Sequence, residues 1–567
     1  MYNFVCSKKY NIWVGWTMFA MGLSGGYGHD AAACIVNGNT LIAYAEEERY
    51  TRVKHAINQA PVYSALYCLE KAGIQFEDLD VIALSWLPEK VDDYWNVFNI
   101  FKNHPAFRRK KFPQVIPVNH HLSHAASSYL LSGFKEATIL VIDGQGDDIS
   151  TSIAHGKDGE VKFYEQYPMS QSLGFFYSAV NSYLNLGESG EGKLMGLASY
   201  GSPKYDFPIS LSSTGYSIDI PEPSSDKYFE EKYNDIRKSW FTRLYRMFGE
   251  PIQPTYYRDS VRGHYSNSKE FSQKEKDIAA SAQSVLETTI LHLAKLAIEK
   301  TNCRNLVISG GVGLNCSANG KLERSGLIDE LYILPATHDA GACIGAAMTL
   351  GFSAGNYIPS QLSTPYWGRE YTDDEIYQTI KMLGIKAQYS EDAALAAARY
   401  VSENKIVGWF QGAAEMGPRA LGNRSIIANP SEYESYLRMN RDVKNRELWR
   451  PLAPSVLWEK ASWLVENSQH SPYMLKAYDV KENVRNIIPA VVHVDGTARP
   501  QTVREQDNHL WYRLITEFNK FTGIPLVLNT SLNGKDEPVC ETPLEAVRTF
   551  YAGAMDSLVL GNFIISK

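Results

Sequence analysis

The segment Asn119-His120-His121-Leu122-Ser123-His124-Ala125 sets two imidazoles, His120 and His124, four residues apart. On a helix that spacing projects both from one face, where they can share a metal ion. No Glu follows His120, so the HExxH pattern of metalloproteases is absent. Two histidines do not hold a metal alone. Asp143 in DGQGD and Asp339 in THDAG are the carboxylates that can complete the set. A mixed His/Asp set suits Fe, Mn or Zn better than Ca or Mg. The competing reading is a pair of capping or core histidines.

A second group points to anions. Arg419, Arg424, Arg438, Arg441, Lys444, Arg446 and Arg450 are seven bases against four acids within residues 419–450. A local excess of +3 inside a chain of net charge −7 marks an anion site. Gly417-Pro-Arg419-Ala-Leu-Gly422-Asn-Arg424 sets two guanidiniums among glycines, suited to bidentate phosphate contacts. Arg499 in TARPQTV and the hydroxyls and amides of Asn529-Thr-Ser531-Leu-Asn533 extend the group. A solvated basic face explains scattered lysines, but poorly explains Arg in Gly/Pro and strand-end contexts.

Two Gly-rich segments can bring bare N–H groups to a phosphate or ribose: Gly310 to Asn315 after a buried strand, and Gly187 to Lys193. Neither matches GxGxxG or GxxxxGK[ST], so each alone is weak.

The elements that must position these groups follow a repeated plan. FAMGLS, GGYGHD, AAACIV, an Asn37-Gly38 turn and TLIAYAEEE form the first unit. ATILVID, GQGDD, ISTSIA, an Asp158-Gly159 turn and VKFYEQ form the second. Each reads as strand, Gly turn, strand, hairpin turn, strand, which suggests a duplicated, two-lobed α/β domain with phosphate between the lobes. A helix is expected at 60–72, an irregular insertion or acceptor-side lid over 202–270, and a long helix from a Ser272–Glu275 capping box to Thr301. A Gly/Pro/Ser-rich stretch, 352–368, reads as the domain boundary, followed by a second α/β domain.

The 567 residues exceed one hydrophobic core, and 44% apolar with 21% charged content excludes disordered and fibrous classes. A charge of −7 without basic stripes argues against a nucleic-acid partner. Seven cysteines, none in a CxxC pair, argue against disulfide or thiolate-zinc frameworks and suit a reducing cytoplasm. The one signal-like stretch, Ile12 to Leu23, is too short to span a bilayer and reads better as a first strand.

GHDAAA (28–33), AEEERYTRVKH (45–55), NHHLSHA (119–125), DGQGD (143–147), GKLMGLASYG (192–201), SGGVGLNC (309–316), HDAG (338–341), MGPRALGNRS (416–425), RELWRP (446–451) and LNTSLN (528–533) run in order along the chain. Together they resemble the O-carbamoyltransferases of antibiotic and nodulation-factor biosynthesis. Residues 1–17 fall outside the resemblance, as an N-terminal extension before Met18.

The resemblance implies a two-lobed actin/sugar-kinase/chaperone-type domain at 18–355, like the tRNA threonylcarbamoyl transferases, and a YrdC-like α/β domain at 356–567. It implies that carbamoyl phosphate and ATP give carbamoyl-adenylate, with Mg2+ accompanying ATP. The carbamoyl group then passes to a hydroxyl of a natural-product or sugar acceptor, releasing AMP. Arg419, Lys444, Arg450, Arg499, Asn529 and Ser531 would bind carbamoyl phosphate and ATP, with Arg419 and Lys444 catalytic. His120, His124, Asp143 and Asp339 would hold Fe(II) or a similar divalent ion. Glu188, Lys193, Gly310, Gly311 and Asn315 would line the adenylate, and His29 would be the general base. The aromatic-rich segments 164–185 and 223–266 are candidates to shape the acceptor pocket. No membrane partner is expected, and the oligomeric state and the acceptor are not readable. The alternatives are a sugar-kinase-type phosphotransferase and an inactive nucleotide-binding scaffold.

Overall fold

The computed structural model describes residues 18–90, 97–224, 229–251, 271–351, 358–466 and 470–567, with short strands at 257–258 and 265–266. The expected extension 1–17, the start of the boundary stretch (352–357) and parts of the 202–270 insertion lie outside the described residues.

The duplicated plan is real. Strands Phe19–Leu23, Ala32–Asn37, Thr40–Glu46, Val81–Leu84 and Gln114–Pro117 form one sheet; Glu136–Gly146, Ile149–Lys157, Glu160–Pro168, Asn305–Ser309 and Glu330–Ile333 form another. In both, the spatial order is third, second, first, fourth, fifth. The first three strands are antiparallel and the last two join parallel to the first. The first hairpin turns one residue later than expected, at Gly38-Asn39, because Asn37 still pairs with Thr40. Asp158 and Gly159 turn the second, both at positive φ (49° and 86°), the geometry that suits tightly twisted hairpins.

Two helices, His120–Leu130 and Asp339–Gly351, run between the sheets and pack on each other. Their approach depends on Gly345, where a Cβ would lie 1.8 Å from the Ser123 carbonyl oxygen. The expected helix at 60–72 is Val62–Ala72, and the capped long helix is Gln273–Thr301.

The described part of the insertion is not irregular. It contains a short hairpin, Ile209–Ser212 with Gly215–Ile218, and a helix, Phe229–Phe248. Ile236, Trp240, Leu244 and Phe248 bury one stripe of that helix at a spacing of four. The flanking Tyr, Pro and Ser residues had masked that period.

Residues 388–566 build an eight-stranded mixed sheet around Val407–Phe410, Arg424–Ala428 and Leu526–Ser531. Its separate core includes Trp409, Trp511, Leu526 and Leu558. It docks on the first lobe through the AEEER segment. Glu46 Oε1 accepts the Gly417 N–H at 2.6 Å, and Glu46 Oε2 pairs with Arg49 at 3.1 Å. Arg49 also donates to the Gly417 carbonyl at 2.7 Å. Gly417 has φ +82°, and a Cβ there would lie 2.3 Å from the Pro335 carbonyl oxygen, so a larger residue would force this junction apart. Arg52 donates to the Val539 and Pro538 carbonyls, each at 2.7 Å.

Glu46→Gln should therefore destabilise the protein by about 3 kcal/mol in chemical denaturation, because it leaves the buried Arg49 short of its main carboxylate. A loss under about 0.5 kcal/mol would show that the junction does not depend on this pair.

Candidate functional site

His120, His124, Asp143 and Asp339 meet where the two central helices and the second sheet converge. One ligand atom from each lies within 4.8 Å of the others. The two Nε2 atoms are 3.0 Å apart. Asp143 Oδ2 lies 3.4 and 3.8 Å from them, and Asp339 Oδ1 lies 3.7 and 3.4 Å away. A tetrahedral site with bonds of about 2.0 Å places its ligand atoms about 3.3 Å apart, so the spacing fits a small divalent metal. His120 Nδ1 lies 2.9 Å from the Ser85 carbonyl, which can only accept, so Nδ1 carries the proton and Nε2 is bare. Asp143 Oδ1 accepts the Gly311 N–H at 2.9 Å, leaving Oδ2 for the centre. All four residues are buried, and unpaired carboxylates there would be costly. The donor set fits a borderline cation such as Fe(II) or Zn.

His29 stands beside this centre with its side chain 47% exposed. Its Nδ1 lies 3.1 Å from Asp30 Oδ2, and His55 Nδ1 lies 2.9 Å from Asp30 Oδ1. Asp30 thus orients one ring nitrogen of His29 and leaves Nε2 facing outward. Partial desolvation would lower the pKa of His29, but the Asp30 hydrogen bond and the charges of Asp339, Asp30 and Asp143 raise it to about 9. A dication held by Asp143 and Asp339 would offset part of that field. Asp30 and His55 were missed as an orienting pair, although both sit in quoted motifs.

The structure gathers Arg419, Lys444, Arg446, Arg450 and Arg499 in the second domain. Among the described residues, Arg419 and Arg499 make no ion pair or hydrogen bond, and Arg419 Nε is buried without a partner. Burial, then Arg499, brings Arg419 down to about 9; burial, then Arg450, does the same to Arg446. Burial also lowers Arg499 and, strongly, Lys444. Cations held so close against repulsion suit a polyanion. Lys444 donates to Asn533 Oδ1 at 2.7 Å and to the Ser531 carbonyl. Asn529 donates to the Ala420 carbonyl at 3.1 Å, while its Oδ1 is buried with no partner. Arg446 was visible only as one base in a run; its half-buried place beside Arg450 singles it out.

Several expected roles are not what the geometry gives. Arg424 is fully buried, donates to the Gln411, Gly412, Asn423 and Arg369 carbonyls and lies 3.6 Å over the Phe410 ring. It supports the fold and offers nothing to a phosphate. Asn315 caps its helix at Ala318 and exchanges hydrogen bonds with Gln283, so its side chain is already engaged. Gly311 spends its N–H on Asp143, and Gly310 makes a turn at φ +90°. Lys193 donates to the Leu186 carbonyl at 2.7 Å and faces Glu447 at 3.6 Å, which in turn lies 3.1 Å from Arg450. Glu188 is exposed.

The two centres share one segment. Gly311 holds Asp143 at one end, and Cys316 at the other lies near Arg419 and Arg499. The Cys316 carbonyl also accepts the Ala477 N–H at 2.9 Å, a further domain contact.

Two outcomes test these assignments. His120→Ala or Asp339→Ala should remove most of the bound divalent metal measured by elemental analysis, since one of about four ligands is lost; full metal content in the double variant would dismiss the cluster. Arg419→Met should raise the melting temperature by relieving like-charge repulsion, whereas Arg424→Met should lower it by orphaning four carbonyls. Equal shifts for the two would erase the distinction drawn between them.

The Carbamoyltransferase N-terminus family matches residues 20–106 and 95–348, and the Carbamoyltransferase C-terminus family matches residues 398–567. Nodulation protein NolNO of Sinorhizobium fredii is 37% identical over 97% of this chain and 83% of that protein. An uncharacterized Synechocystis protein, sll1178, is 34% identical over 96% of each. Nodulation protein NolO of Bradyrhizobium diazoefficiens is 35% identical over 79% of each. The chain is therefore a member of the carbamoyltransferase family, with both halves of the family present in order.

Proposed function

We propose that the protein is an ATP-dependent O-carbamoyltransferase that works in two steps. In the second domain, carbamoyl phosphate and one water give carbamate and phosphate; a carbamate oxygen then displaces pyrophosphate from ATP to form carbamoyl-adenylate. In the first domain, an acceptor hydroxyl attacks the carbamoyl carbon and AMP leaves.

The observation that carries this reading is the half-buried cation group in which Arg419 and Arg499 have no counter-anion among the described residues, joined to the His/Asp centre by Gly311 to Cys316. Arg419, Arg446, Arg450 and Arg499 bind and neutralise the phosphates, and the cost of holding them together is offset when the anion arrives. Lys444 reaches the same place from Ser531 and Asn533. The free Asn529 Oδ1 suits the carbamoyl NH2. In the transfer step His29 takes the hydroxyl proton at Nε2 while Asp30 holds Nδ1. A divalent cation such as Fe(II), held by His120, His124, Asp143 and Asp339, would supply Lewis-acid charge to the leaving phosphate; Mg2+ would accompany ATP. The six described cysteines are all free, in keeping with a cytoplasmic enzyme, and among the described residues no helix is long and apolar enough to cross a membrane. A sugar-kinase-type phosphotransferase would leave the arginine group idle.

The test separates the steps. Arg419→Ala and Lys444→Ala should abolish carbamoyl-phosphate-dependent exchange between ATP and pyrophosphate, by roughly 10²–10³ for a single transition-state donor. His29→Ala should keep that exchange and lose transfer by about 10²–10⁴. Synthetic carbamoyl-adenylate should rescue the Arg419 variant alone. Equal loss of both steps in every variant would mean one shared site and would sink the two-step scheme.

A further inference from the structure

Asp147 opens the acidic turn of the second lobe, at φ +53°. Its carboxylate is 6% exposed and accepts hydrogen bonds from three separate segments. Oδ1 accepts the Tyr27 hydroxyl at 2.5 Å and the Leu87 N–H at 3.0 Å. Oδ2 accepts the His120 N–H at 2.6 Å and the Asn119 side-chain amide at 3.2 Å. The contact with Tyr27 is reciprocal, since the Asp147 N–H donates back to the same hydroxyl at 2.7 Å.

Each partner belongs to a segment that carries a group of the transfer centre. Tyr27 lies two residues before His29, and its ring meets the His120 ring edge-on with centroids 5.2 Å apart. Leu87 lies two residues after Ser85, whose carbonyl fixes the His120 tautomer. His120 opens the helix that also presents His124. An anion at that helix end is favoured by the unpaired N–H groups and the helix dipole.

We propose that Asp147 is a positioning residue that registers the His29 loop of the first lobe against the imidazoles of the His/Asp centre. The inference rests on reading His120, His124, Asp143 and Asp339 as a metal site. Asp147 touches neither metal nor substrate; it acts through Tyr27 and the His120 backbone. The carboxylate is required because each oxygen faces two donors. An asparagine has one acceptor oxygen, and its NH2 would oppose two of the four donors whichever way it turned. Tyr27→Phe removes the two hydrogen bonds that the Tyr27 hydroxyl shares with Asp147 and leaves the Leu87, Asn119 and His120 contacts of the carboxylate in place.

The experiment uses the full-length protein loaded with Co(II), whose visible absorption reports ligand geometry. Asp147→Asn should shift that absorption, weaken Co(II) affinity about 10- to 100-fold and lower transfer. Tyr27→Phe should hold Co(II) within about threefold of wild type yet lower the kcat of transfer about 10-fold or more, with little change in the KM of the acceptor. Both variants should retain carbamoyl-phosphate-dependent ATP–pyrophosphate exchange, which shows that they are folded. If wild type takes up no Co(II), the metal reading falls and this one with it. If wild type takes it up and Asp147→Asn matches its spectrum, affinity and transfer rate, the positioning role alone is overturned. Should Asp147→Asn lose exchange as well, Tyr27→Phe decides: wild-type transfer by that variant overturns the proposal.

Discussion

The hydrogen bond from the Gly417 amide to the buried carboxylate of Glu46, braced by Arg49, is the contact on which the rest of the arrangement depends. It joins the first lobe to the loop that carries Arg419. Moving it would carry Arg419 away from Arg499 and from the Cys316 end of the Gly-rich segment. Because Gly417 must approach the Pro335 carbonyl at positive φ, the junction leaves no space for a side chain. Charged pairs in such places contribute little net stability, but removing one partner is costly, so they act as a register between domains.

That register sets two opposite electrostatic environments side by side. One centre brings two imidazoles and two carboxylates within reach of a single ion and could hold a cation. The other packs guanidiniums and an ammonium together with their proton affinities lowered by burial and by each other, an arrangement suited to an anion. Neither arrangement favours the ligand-free fold. Each is offset by whatever binds, and a ligand that binds only the native state adds stability in proportion to the logarithm of its concentration over Kd. A carbamoyltransferase of the proposed kind needs both: phosphates must be gathered before the activated carbamoyl group exists, and a leaving phosphate must be stabilised after.

Some of this was determined by sequence alone. The pattern of His120 and His124 specified a shared helical face, because helix geometry is local. The Gly and Asp turns of the two repeated units specified hairpins within one residue, for the same reason. The capping box at Ser272 specified where the long helix begins. The order of motifs along the chain pointed to the family.

Contacts between distant segments were decided only by the tertiary structure. Arg419 and Arg424 sit in one glycine-rich loop with similar local sequence, yet Arg424 is turned inward onto four carbonyls and Phe410 while Arg419 is left without a partner. Nothing within five residues of either distinguishes them; the strand pairing of Arg424 with Phe410 does. Asn315 looked like a ligand for a nucleotide until the fold brought Gln283 to it. Asp147, Asp30 and Glu46 were plain acids in the sequence, and the contacts that give them their roles reach partners 25 to 371 residues away. Local steric and hydrogen-bonding rules act over a few residues and so can be read from a string. The desolvation and pairing of a charge depend on every segment that closes around it, and only the folded chain specifies those.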